Sequence, residues 1–378
     1  MARINVTKPS IPPFEEYSAE IKKIWDNVWL TNYGPIEQEF TAKIREYLGV
    51  SNATLFVNGH QALYSLINVL GLYGEVITTP FTFASTTHAI VQNGLRPVFA
   101  DVDPVTYTLD PACVEKLITP QTAAILPVHV YGNLADVEAF EDISERYGIP
   151  VIYDAAHIFG VTKDGVGAGN FGTASMFSFH ATKIFNSIEG GAVVTKDADL
   201  SARLKRFSNF GLIDGEFAES MASNCKMNEF SAAMGICNLR HIDEYLAKRK
   251  NIYDLYTREL FEIYDDFDPA TGEVPSKGLK FLPKQAGITR NYAYYPVMFR
   301  DSAQRDAVMK ALADNDIYAR RYFYPLTSEF SCYKGFKGSG ETPIAENLAS
   351  RALSIPFYAD LEEKEAMKIS SIINEQLQ

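Results

Sequence analysis

The sequence predicts an α/β fold: a mostly parallel sheet flanked by helices, followed by a smaller C-terminal α+β domain. Three observations predict it. Between residues 53 and 153, short β-rich apolar runs alternate with helical patterns, the rhythm of βαβ units in a sheet covered on both faces. The chain has 378 residues, of which 47% are hydrophobic, enough to bury a large domain and a second, smaller one. A breaker-rich stretch, FDPATGEVPSKG (267–278), then interrupts the pattern. The expected division is 1–265, with an N-terminal arm, and 266–378.

Taken in order, Pro9, Pro12 and Pro13 mark the arm, and Tyr17, Ile21, Ile24, Trp25 and Val28 recur at helical spacing over 14–29. Thr31 to Pro35 reads as a loop and Ile36 to Leu48 as helix. Strands are expected at 53–57, 75–79, 97–100, 123–128 and 150–153, with helices at 61–70, 85–93, near 111–118 and at 136–147. After residue 165 the rhythm changes. Strands at 174–179 and 191–195 flank a turn that contains Lys183, and helices follow near 198–208 and 228–263. A strand at 292–299 and helices at 302–315 and 360–375 complete the smaller domain.

Composition narrows the function. The formal charge is −12, from 35 basic and 47 acidic residues, without a basic block. Nucleic acid is not the expected partner, because phosphate contacts need clustered Lys and Arg. A small phosphorylated ligand held by backbone amides remains open. The four cysteines are far apart and form no CxxC, which argues against a zinc site or a disulfide framework. The N-terminus lacks the apolar core of a signal peptide, and no apolar run approaches the ~20 residues that span a bilayer. A cytoplasmic protein without a membrane partner is expected. Gly167 to Gly172 satisfies GxGxxG, but a KDG turn precedes it and a β-rich stretch follows it. A dinucleotide fingerprint needs a strand before it and a helix after it, so these glycines are read as turn residues.

Four features converge on one ligand. Asn58-Gly59-His60-Gln61 lies between a strand and a helix, where free N–H groups make either an anion site or an ordinary cap. Asp154 ends an apolar strand, at the edge where open α/β sheets bind ligands, and could equally cap a helix. Phe83, in the loop after the second strand, suits stacking on a flat ring or packing in the core. Ser178 and Lys183 border the turn in FSFHATKIFNSIEGG, where the bland reading is a solvated loop lysine. Together the four suit pyridoxal 5′-phosphate. It needs a lysine amine for a Schiff base, an acid for the pyridine nitrogen, an anion site and a wall for the ring.

With these landmarks the sequence resembles the DegT/StrS-type sugar-nucleotide aminotransferases, which have the fold-type-I architecture of aspartate aminotransferase. The resemblance runs over nearly the whole chain. It is carried by TNYGPIEQEF (31–40), NGHQAL (58–63), TTPFTFAST (78–86), DVDPVTYTLD (101–110) and PVHVYGN (127–133). It continues through DAAHIFG (154–160), FSFHATK (177–183), EGGAVVT (189–195), NCKMNEFSAAMG (224–235) and RRYFYPL (320–326). The resemblance implies that Lys183 bonds to the cofactor and carries the proton, and that Asp154 pairs with the pyridine nitrogen. It puts His157 near the ring hydroxyl, Phe83 on the ring, and Ser178 with the Gly59-His60-Gln61 backbone on the phosphate. Asn224 matches an asparagine that reaches the neighbouring subunit's phosphate, which implies a homodimer with shared active sites. Position 60 departs from the family, where threonine is usual; here His60 leaves the side-chain contact to phosphate in question. Related dehydratases replace the lysine by histidine, so Lys183 favours transamination.

The expected reaction moves an amino group from L-glutamate to C4 of a nucleotide-linked 4-keto-6-deoxy sugar, dTDP-4-keto-6-deoxyglucose as first choice. It would serve deoxyamino-sugar biosynthesis, as in O-antigen and lipopolysaccharide. Tyr33, Arg320, Arg321 and Tyr322 are the expected substrate contacts, with the arginines on the diphosphate or the donor carboxylate unless they are plain surface residues. A 3-keto-sugar aminotransferase and a non-enzymatic regulator that binds the cofactor are the alternatives.

Overall fold

The computed structural model describes residues 3–336, 338 and 341–377. Seven strands build the main sheet: β1 (Asn52–Phe56), β2 (Glu75–Thr78), β3 (Arg96–Phe99), β4 (Thr122–Leu126), β5 (Ile152–Asp154), β6 (Ala174–Ser178) and β7 (Gly191–Thr195). Parallel bridges Ile125–Val151 and Val128–Asp154 join its halves, which gives the order β3-β2-β4-β5-β6-β7-β1. The strands are almost fully buried apolar runs, as a sheet covered on both faces requires. One of them departs from the parallel arrangement: β7 runs antiparallel to both β6 and β1. Its first residue, Gly191, therefore pairs with Ser178 and Phe56, the last residues of β6 and β1. That reversal brings the start of β7 to the carboxyl edge of its neighbours.

The helices that matter for the site are α1 (Phe14–Asn27), α2 (Pro35–Leu48), α3 (Gly59–Val69) and α4 (Ala84–Gln92). Of these, α3 follows β1 directly, with Asn58 as its cap: the Asn58 side chain accepts from the Gln61 N–H at 2.8 Å. α4 follows β2, with Phe83 at its N-cap.

The single helix expected over 228–263 is three segments. Glu229–Arg240 and Ile242–Thr257 are separate helices, and a π-helical turn covers Arg258–Glu262. The break is at His241 (φ −105°, ψ 2°), whose ring bonds to Glu16 at 2.6 Å. The first segment packs on α1 and α2, the second on the C-terminal helix Glu363–Glu375, so the chain turns between two partners. The strand expected over 292–299 is confined to Pro296–Met298, because the Arg249 guanidinium takes the carbonyls of Tyr292 and Ala293. A four-stranded antiparallel sheet forms there, Glu273–Val274, Leu279–Lys280, Pro296–Met298 and Ala352–Ser354. Its core combines Val297, Phe299 and Leu353 with Ile369 and Ile373, and also with Ile252, Tyr256 and Leu260 from before residue 265. Among the described residues, no helix is long and apolar enough to cross a membrane.

One close approach is testable. A Cβ on Gly235 would lie 2.3 Å from the ring of Phe40, which is fully buried. Gly235→Ala should therefore cost about 1–3 kcal/mol in urea unfolding through overpacking. Phe40→Leu in the same chain should recover part of that loss; equal cost with and without Phe40 would place the strain elsewhere.

Candidate active site

The site is built on the carboxyl edge of the main sheet, with the C-terminal region closing over it. Asp154 is the last residue of β5 and is buried. Its Oδ2 accepts from Thr86 Oγ1 at 2.8 Å and its Oδ1 from the Ala156 N–H at 3.1 Å. No helix starts after it, so the helix-cap alternative does not hold. Burial raises its pKa, against the hydrogen bonds from Thr86 and Ala156 and the nearby Lys183 ammonium.

Lys183 sits in the connection between β6 and β7. That connection is anchored from behind by aromatic packing: Phe185 stacks on Phe159 at 4.2 Å and meets Phe179 edge-on at 5.1 Å. Asn186 is tied down by Asn238 at 2.9 Å and binds the Ser10 carbonyl at 3.0 Å. The Lys183 side chain as a whole is half-buried, but its amine is desolvated, which pushes its pKa down to about 8, although Asp154 and Tyr322 pull it up. It lines a small cleft with Ala156, His157, Thr182, Ala293 and Tyr294. The solvated-lysine reading is thereby set aside.

His157 is buried beside them. Its Nδ1 accepts from the Tyr131 N–H at 3.2 Å, so Nε2 carries the proton of the neutral ring. Burial, with Lys183 and His129 nearby, holds its pKa well below the histidine range. Phe323 stacks on it at 5.9 Å, and Tyr294 lies 4.8 Å from it. Tyr322 packs edge-on against Tyr294 at 5.8 Å, and its backbone carbonyl accepts from the Tyr131 hydroxyl. The 292–294 and 320–323 segments thus bring the C-terminal region onto the lysine.

Gly59, Ser178 and Gly191 form a cradle. A Cβ on Gly59 would lie 2.8 Å from Ser178 Cβ, and one on Gly191 would lie 2.7 Å from the Gly59 backbone. The Gln61 and Ala62 N–H groups are taken by Asn58, while those of Gly59 and His60 have no partner among the described residues. Two free amides at a helix N-terminus suit a phosphate. The His60 side chain is engaged elsewhere, with Ser85 and Gln92 of α4. Phe83 is 64% exposed and has no ring partner among the described residues, so packing in the core is not its role within one chain.

Four expected residues make their main contacts away from this cluster. The Tyr33 hydroxyl is 2.6 Å from both the Lys205 carbonyl and Ser208 Oγ, at the end of the helix Ala198–Phe207. Asn224 is exposed, and its Oδ1 accepts from Lys226 Nζ at 2.6 Å. Arg321 lies over Tyr324 at 4.1 Å, while Arg320 is exposed and contacts the Tyr322 hydroxyl at 3.3 Å. Among the cluster residues not singled out from the sequence are Thr86, Tyr131, Tyr294 and Phe323. Thr86 lies one helical turn after the N-cap Phe83, on a helix that starts where a ligand edge was expected; Tyr294 carried no such signal.

The donor set fits pyridoxal phosphate. A buried carboxylate of raised pKa has no salt-bridge partner among the described residues beyond the nearby Lys183 ammonium, that lysine has a lowered pKa, and a glycine cradle offers unpaired amides. A fold-type-I chain with such a site is an enzyme of the cofactor-dependent amino-transfer class. The family model for the DegT/DnrJ/EryC1/StrS aminotransferases matches residues 14–374, and the chain belongs to that family. Its cofactor is pyridoxal phosphate. Two curated relatives are called dTDP-4-amino-4,6-dideoxy-D-glucose transaminase. The one from Shigella dysenteriae is 39% identical over 374 residues, and the one from Escherichia coli is 38% identical over 377; each match spans 98% of both chains. The solved structure of DesI with its TDP-sugar product superposes with a TM-score of 0.90 at 33% identity, covering 99% of this chain and 93% of that one.

The lowered pKa of Lys183 has a measurable sign. Only the free amine attacks a carbonyl, so capture of pyridoxal phosphate by the apoprotein should rise with pH through a midpoint near 8, well below the ordinary lysine value. Asp154→Asn removes a charge that favours the ammonium, so the midpoint should move down. Stopped-flow absorbance over a pH series reads both; a midpoint above 10 would show a solvated lysine.

Proposed function

We propose that this enzyme transfers the amino group of L-glutamate to C4 of a nucleotide-linked 4-keto-6-deoxy sugar, with dTDP-4-keto-6-deoxyglucose as the acceptor. The observation that carries the reading is the near-complete two-way coverage with two relatives named for the corresponding amino sugar, at 38–39% identity. Retention of Lys183 beside a buried Asp154 supports an enzyme over a regulator that merely binds the cofactor.

The bound cofactor supplies an electron-accepting ring for amino-group chemistry. The residues of this chain supply the rest. Gly59 and His60 amides and Ser178 hold the phosphate. Asp154, fixed by Thr86, would keep the pyridine nitrogen protonated, and Phe83 would offer the ring a wall. His157 donates from Nε2 toward the ring hydroxyl. Lys183, whose amine pKa burial brings down to about 8, would hold the cofactor and, when free, would carry the proton. Arg320 and Arg321 would meet the diphosphate or the donor carboxylate, and Tyr322 contacts Arg320 through its hydroxyl and acts electrostatically on Lys183.

The working form is a homodimer. Trp25, Val28, Trp29 and Leu30 form an exposed apolar stretch at the end of α1, and Phe217 and Met221 are exposed on a second segment. Such surfaces suit burial against a second copy. Asn224, oriented by Lys226, and Tyr33 would then serve the neighbour's site. A biosynthetic enzyme of this kind would work in the cytoplasm.

The regiochemistry tests the reading. The keto carbon must meet the cofactor while the diphosphate stays anchored, and a misplacement of ~1 Å can cost ~10²-fold in rate. With glutamate, dTDP-4-keto-6-deoxyglucose should yield the 4-amino-4,6-dideoxy sugar, identified by NMR. The 3-keto isomer should react at least ~10-fold more slowly. A reversed preference would make the enzyme a 3-aminotransferase.

A further inference from the structure

The second residue of α3 carries a side chain that the cradle does not use. His60 Nδ1 lies 2.9 Å from Ser85 Oγ, and Nε2 lies 2.9 Å from Gln92 Oε1. Ser85 and Gln92 stand two helical turns apart on one face of α4. One imidazole therefore grips both ends of a nine-residue helix. A neutral ring satisfies both partners: Nε2 donates to the amide oxygen, and Nδ1 accepts from the hydroxyl.

What α4 carries makes this grip consequential. The helix is short, and its N-cap, Phe83, makes no side-chain capping bond, so it is weak on its own. Yet Phe83 is the exposed ring beside the site, and Thr86 fixes the Asp154 carboxylate. On the other side of the grip, the His60 amide is one of the two unpaired donors of the cradle. A threonine at position 60 would be too short to span Ser85 and Gln92 together.

We propose that His60 is a positioning residue. It locks the phosphate-binding end of α3 to the helix that presents Phe83 and Thr86, so that cradle, ring wall and the Asp154 support keep one relative placement. The inference rests on the reading that the cofactor phosphate occupies the cradle.

Hydrogen-exchange mass spectrometry of the apo and cofactor-loaded protein, with cofactor Kd from absorbance titration, tests it. His60→Ala should speed amide exchange over residues 84–92 and weaken pyridoxal phosphate by about tenfold, the scale of one or two lost hydrogen bonds. Gln92→Leu, remote from the cradle, should do the same more mildly. The double variant should be no worse than His60→Ala, because both remove one grip. His60→Thr should leave 84–92 exchanging fast. Unchanged exchange over 84–92 in His60→Ala would overturn the proposal, as would an unchanged Kd or additive effects of the two substitutions. Failure of the cofactor to protect residues 59–61 in the unaltered protein would instead overturn the cradle reading, and this inference with it.

Discussion

A lysine amine and a carboxylate are held out of water at the same edge of one sheet, and the surrounding architecture answers to that constraint. Neither charge is comfortable alone. Burial drives the Lys183 pKa down to about 8 and the Asp154 pKa up, and each is the other's nearby compensating charge. Their mutual attraction does not restore ordinary values to either. Such a pair is a poor device for stability and a good one for chemistry, because the carboxylate is left to meet a cationic group and the amine to react as a free base.

Several independent structures keep the pair in place. The reversal of β7 lets Gly191 lie against Gly59 and Ser178, which closes the cradle and fixes where the lysine turn begins and ends. Phe159, Phe179 and Phe185 pin that turn from inside the core. From the far end of the chain, Tyr294, Tyr322 and Phe323 close over His157 and the lysine, so the two regions of the molecule share the site. The buried guanidinium of Arg249 holds the 292–293 backbone in the conformation this closure needs.

Much of this was legible in the sequence, for a physical reason. Strands buried on both faces must be short apolar runs, so β1 to β7 stand out, and polar residues at their carboxyl ends are conspicuous. Asp154 and Ser178 stand out that way, and Gly59 and Lys183 by the turns that follow β1 and β6. Contacts between distant segments were not legible. The Thr86–Asp154 bond spans 68 residues, and the direction of the His60 ring depends on a helix 25 residues further on. The helix Pro343–Arg351 was missed although proline opens it, because its cap is the Asp101 carboxylate, 243 residues before Ile344. Helical periodicity likewise ran straight through His241, where the change of packing partner, not the local pattern, breaks the helix.

The central claim is that Lys183, and no other lysine, carries the cofactor. Lys226 is a fair control, since it is buried and likewise of lowered pKa, with its ammonium on Asn209 and Asn224. Borohydride reduction of the yellow holoprotein, followed by peptide mass mapping, measures the claim directly. The account predicts one stable pyridoxyl adduct, on the peptide that contains Lys183. An adduct on Lys226 or another lysine, with Lys183 unmodified, would contradict it.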